Sequence, residues 1–297
     1  MKNLFSPAVF VMIAVLFITP AVAQKQKSKD DAFKEIAALT NTKKPEDLEK
    51  AYKLAREFVT RFAADKDDKV THIKGFVGQY RLKLFLGAVD SKKYTEAFAL
   101  GKEILSEEPE NTEVLINLAY AGYNVRSEKG DKTHADDTVA YANKGAELIA
   151  AGKLPATFAP YKTQDEAMAW MYFISGFLGF EKDIKAAAFN AYKALQYESP
   201  IKTDPLPYFI VATFYEDQYA ALSTAKGDQK KIDSAIDLML DAYARTCKRS
   251  EITKHPSHEP WKTRYAQIYK FRKKTDVGLK EFTAMTDASP FPDPAKF

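Results

Sequence analysis

Tyr94-Thr95-Glu96-Ala97-Phe98-Ala99-Leu100-Gly101-Lys102-Glu103-Ile104-Leu105-Ser106-Glu107-Glu108-Pro109-Glu110-Asn111 is the stretch that decides the fold. Its apolar residues recur every three or four positions, the spacing of one helix face. Ala97 and Gly101 stand one turn apart on that face, so a second helix can approach closely there. Pro109 follows the last turn, where a ring without an N–H stops the helix. Helical spacing then restarts at Thr112, with Leu115, Leu118 and Ala119 in packing positions. The unit is a helical hairpin with a small-residue seam.

Ala97, Gly101 and Ile104, with the terminal Pro109, resemble the second helix of a tetratricopeptide repeat (TPR), and Leu115, Leu118 and Ala119 resemble the first helix of the next one. The same offsets return at Ala188, Tyr192, Leu195 and Pro200, preceded by Gly176 and Gly179 in a helix starting near Ala167. They return again at Gly278, Phe282, Met285 and Pro290. Weaker copies are Ala51, Ala55, Phe58, then Thr138, Ala142, Gly145, then Ala235, Met239, Ala242. Successive copies are 41 to 50 residues apart, longer than the family's roughly 34. No alternating apolar and polar run follows residue 31. The expectation is an all-α chain, a right-handed α-solenoid of about six antiparallel hairpins over residues 31–290. Breaks are expected near 64–70, 127–135, 151–164, 200–206, 227–230 and 247–259, with flexible tails at 24–30 and 291–297.

The N-terminus reads as an address. Lys2 precedes the apolar run from Ala8 to Ile18, Pro20 breaks it, and Ala21-Val22-Ala23 supplies small residues for a signal peptidase. That is the three-part pattern of a secretory signal peptide over residues 1–23, with cleavage between Ala23 and Gln24. The run is shorter than the roughly 20 residues a spanning helix needs. The expectation is a periplasmic or secreted chain that is soluble, and not inserted in a membrane, after cleavage. Its single cysteine, Cys247, has no intrachain partner and reads as a buried thiol.

Forty-four Lys and Arg face 40 Asp and Glu, giving +4 over 297 residues. This near balance does not support a nucleic-acid partner, which needs a dense basic stripe. The 46% apolar content excludes a wholly disordered chain. Motifs for chemistry are few. His255-Pro256-Ser257-His258-Glu259 has ligand-like spacing, but its prolines argue for a loop carrying two exposed histidines. Asp65-Lys66-Asp67-Asp68 lacks the glycine and distal glutamate of a calcium loop. Glu198-Ser199 superficially resembles the catalytic pair of lytic transglycosylases without the motif that should follow it. No metal, cofactor or catalytic set is expected.

A binding surface remains. The TPR resemblance implies that the first helix of each hairpin lines a concave groove. By offset, those positions are Glu113, Ile116, Tyr120, Tyr123 and Asn124 in the third unit, and Trp170, Phe173, Phe177, Phe180 and Glu181 in the fourth. Four aromatics among the last five suggest an interaction site. The competing expectation is that Trp170 and its neighbours pack a core. Leu82 and Leu86 replace the Lys and Asn with which the family grips a terminal carboxylate, which disfavours an acidic C-terminal peptide. The expectation is therefore a non-catalytic adaptor or scaffold for a protein or peptide segment. A carbohydrate-active helical enzyme or a cell-wall glycan binder is the alternative, its aromatics stacking on sugar rings.

Overall fold

A computed structural model describes residues 27–297. The signal-peptide reading and its cleavage site lie outside the described residues. Among those residues are twelve α-helices and no strand. They are α1 (Lys29–Asn41), α2 (Pro45–Arg61), α3 (Asp68–Asp90), α4 (Tyr94–Glu107), α5 (Thr112–Lys129) and α6 (Ala135–Ala150). The second half holds α7 (Gln164–Gly179), α8 (Ile184–Ala194), α9 (Leu206–Thr224), α10 (Gln229–Ile252), α11 (His258–Lys273) and α12 (Leu279–Met285). Short 3-10 turns fall at Pro200–Thr203, Thr286–Ala288 and Pro294–Lys296.

The chain forms two compact units that divide within α3, between Val77 and Gly78. In the first, α1 packs on α2 around Ile36, Ala51, Ala55 and Phe58. Ser28 caps α1 by accepting from the Asp31 N–H, so the helix begins at Lys29, inside the expected 24–30 tail. Pro45 opens α2, where its missing N–H costs nothing.

In the second unit each helix from α4 to α11 packs on the next, and α5 also meets α7, as α7 meets α9. This is a solenoid-like progression: the first helices of successive hairpins form one row. Side-chain caps start the elements cleanly. The Asn111, Thr163 and Asp183 oxygens accept from the Val114, Glu166 and Ala186 N–H groups at 3.1, 3.1 and 2.9 Å.

The small-residue seams explain why the hairpins close. A Cβ on Gly101 would lie 2.8 Å from the Leu118 side chain, and one on Gly122 only 1.9 Å from Thr138 Oγ1. At Gly176 the obstacle is backbone, with the Ala187 carbonyl oxygen 2.9 Å away. Ala97, Ala142, Ala188 and Ala235 are fully buried in their seams.

The last landmark set does not behave this way. Gly278 precedes α12 in the left-handed region (φ 89°), where glycine is favoured as a cap residue, and Met285 is exposed. The expected break at 247–259 is also shorter, because α10 runs through to Ile252 and carries Cys247 in its buried face, with the thiol pushed up to about 12 by burial. His255 and His258 are half-buried rather than exposed. His255 stacks on Trp261, and His258 Nδ1 lies 2.9 Å from Ser250 Oγ.

Residues 291–297 form no free tail. Arg245 of α10 donates to the carbonyl oxygens of Thr286 and Ser289. Arg249 and Lys248 pair with Asp287 at 3.1 and 2.7 Å. Phe291 then packs against Tyr192 and Tyr208, and Phe297 against Tyr215. The segment is strapped across α8, α9 and α10.

Candidate functional site

The aromatics of α5, α7, α9 and the connection before α7 fall into two neighbouring clusters. The first gathers Tyr120, Tyr123, Tyr161, Trp170 and Phe173. Tyr161 stacks on Trp170 with centroids 5.8 Å apart. Tyr123 meets Trp170 and Phe173 edge-on at 5.4 and 5.8 Å, and Tyr120 meets Tyr161 edge-on at 6.3 Å.

Tyr161 belongs to the connection 151–163, which is fastened over α5. Thr112 Oγ1 donates to the Lys153 carbonyl at 2.8 Å, and Asn117 Nδ2 to the Ala159 carbonyl at 3.1 Å. Phe158, from the same connection, packs against the core beneath it. This cluster is closed.

That closure corrects several groove assignments. Ile116 and Phe173 are both 0% exposed and belong to the core. Glu113 is buried beside the covering connection, and burial pushes its carboxyl above the ordinary range. Asn124, on α5, sits beside Tyr94 at the start of α4. Tyr120 and Trp170 keep partial exposure but are held among other rings. Tyr123 touches both clusters, since it also meets Phe177 edge-on at 5.7 Å, and burial pushes its hydroxyl up to about 12.

The second cluster is open. Phe177 and Phe180 from the end of α7 meet Leu206, Phe209 and Ile210 from the start of α9 around a cavity of about 350 Å³. That volume suits one or two apolar groups rather than a large cofactor. Phe180 and Phe209 are 6.2 Å apart. Phe209 is backed by Trp261 of α11, stacked at 4.9 Å, and Trp261 by His255 at 4.6 Å. Beside this wall Asp204 accepts from the Leu206 N–H at 2.8 Å, and burial raises its carboxyl above the usual range.

The rim is charged. Arg126 comes from α5, Lys132 from the α5–α6 connection, and Lys182 from the α7–α8 turn. Glu181 pairs with Lys132 at 2.5 Å and with Arg126 at 3.6 Å. The hydrogen bond from Lys132 holds the Glu181 carboxyl below its ordinary range. Lys182 pairs with Asp136.

Of the ten positions taken from the TPR offsets, the structure brings Phe177, Phe180 and Glu181 to this cavity, with Tyr123 at its edge. Leu206, Phe209 and the three rim cations were not among the ten. Leu206 and Phe209 carry a visible signal, three apart on the first helix of the next hairpin. Of the cations, Lys132 and Lys182 sit in connections and carry none. Among the described residues no group of three or more His, Cys, Asp or Glu is placed to hold a metal, and no helix is long and apolar enough to cross a membrane. No protein-family model matches the sequence, and searches of curated proteins and solved structures return no match.

Proposed function

We propose that this chain is an exported, TPR-like right-handed α-solenoid that acts as a non-catalytic adaptor, holding a segment of a partner protein in the aromatic groove between α7 and α9. The observation that carries this is the open cavity under Phe177, Phe180 and Phe209, half-buried aromatic surface of the kind that anchors protein contacts. Seam glycines and alanines on successive hairpins support the repeat reading. The signal-like pattern at residues 2–23 supports export.

Selection of a displayed peptide library on the immobilised full chain tests the binding role. Enriched sequences should share a bulky apolar residue and should lose binding to the Phe180→Ala protein. Retention of oligosaccharides on a glycan array, with no peptide enriched, would replace the adaptor with a glycan binder. Export has its own test: protein from the native host should begin at Gln24, and intact Met1 would defeat it.

A further inference from the structure

We infer that the α7–α9 cavity selects a peptide segment in which a bulky apolar side chain is flanked by acidic residues. This rests on the adaptor reading above and adds the partner's chemistry to it.

The floor is apolar, from Phe177, Phe180, Leu206 and Phe209, so it takes an aromatic or branched aliphatic group. The rim carries three cations against two carboxylates, and the imbalance is local. Lys182 and Asp136 form a complete pair. Lys132 and Arg126, by contrast, share the single carboxylate of Glu181. One anion serving two cations leaves a positive charge at the cavity mouth, and a second carboxylate there would be attracted rather than repelled. Glu181 is 59% exposed, so it holds this place from the solvent side and can turn away when a ligand acid arrives. A basic flank would meet Lys132 and Arg126 with no spare carboxylate and would be rejected.

The same geometry gives Glu181 a specific role. It is an internal stand-in for the ligand's acid, competing with it for Lys132 and Arg126. Removing that carboxylate should therefore strengthen binding of an acidic segment, the reverse of what loss of a contact residue does.

The test uses the full chain and three short fluorescent peptides, blocked at both ends. They carry the same central Phe and differ only in flanking Asp, Asn or Lys. By fluorescence polarisation the Asp peptide should bind about tenfold tighter than the Asn peptide, the Lys peptide weakest, with the difference shrinking as salt is raised. Glu181→Ala should tighten the Asp peptide by several-fold and leave the Asn peptide unchanged. Lys132→Glu, an exposed position, should invert the order of Asp and Lys peptides without altering the fold. Equal binding of all three peptides, or loosening by Glu181→Ala, would overturn the acidic preference while leaving an apolar peptide groove in place. No binding of any peptide would overturn this inference, and retention of oligosaccharides on the glycan array besides would remove the adaptor reading with it.

Discussion

Two aromatic clusters share one helix, and they differ in what lies over them. Around Trp170 and Phe173, the connection 151–163 is fastened to α5 by Thr112 and Asn117, and Tyr161 stacks onto the indole. Around Phe177 and Phe180, only two turns further along α7, the rings open onto a cavity of about 350 Å³. Helical offset alone assigns both sets to one groove. Whether an inner-face ring is surface or core is set by the long connection that returns over it. Position on the helix identifies candidates, and the covering segment selects among them.

The largest effect that would break this contrast is in the closed cluster. Phe173→Ala empties a fully buried site and should cost about 3–5 kcal/mol in urea denaturation, with Trp170→Ala somewhat less, about 3 kcal/mol. A Phe173→Ala protein of nearly wild-type stability would mean that the first cluster is not core.

The seam comes next. Gly176→Ala places a methyl carbon 2.9 Å from the Ala187 carbonyl, backbone that cannot turn aside, so α7 and α8 must separate at a cost of about 1–3 kcal/mol. The same change at Gly179, where nothing lies within 4 Å, should not destabilise. Equal losses at the two glycines would remove the close-approach explanation of the hairpin.

Phe180→Ala sharpens the comparison from the open side. A half-buried ring at a cavity wall should lose only about 1 kcal/mol of stability, yet a bound peptide should weaken by more than about tenfold. A stability loss as large as that of Phe173→Ala would place both clusters in the core.

The smallest expected effect concerns the C-terminal strap. Burial alone would raise the Asp287 carboxyl, but the hydrogen bond from Lys248 and the charge of Arg249 outweigh it and hold its pKa below the ordinary value. A carboxyl depressed in the folded state stabilises above its unfolded pKa, near 3.8, and that contribution is lost as pH falls through the folded value. Asp241 opposes this, because burial raises its carboxyl despite Arg245, so acid relieves a cost there. The net expectation is faster hydrogen exchange over residues 286–297 below about pH 4, and Asp287→Asn should show it at neutral pH. Unchanged exchange in that variant would mean Asp287 does not hold the strap.

How much was legible follows from the same contrast. Hairpins and most breaks were readable because seam residues such as Ala97, Gly101 and Ala188 sit inside helices and their period is local. Gly278 matched the pattern and misled, since a glycine serving as a cap looks in sequence like one serving a seam. Phe177, Phe180 and Glu181 were reachable from helix offset. Lys132 and Lys182 were not, because their meeting depends on how two connections converge at one end of α7. The strap was hidden for a related reason: Phe291 is anchored through Arg245, 46 residues earlier, by backbone carbonyls that carry no sequence signature.

The most direct test of the account is hydrogen exchange on the full chain with and without the Asp-flanked peptide at saturation. Slowed exchange confined to residues 177–182 and 206–210, with 112–123 and 158–173 unchanged, is the predicted result. Protection centred on the Trp170 cluster, with none at the start of α9, would contradict it.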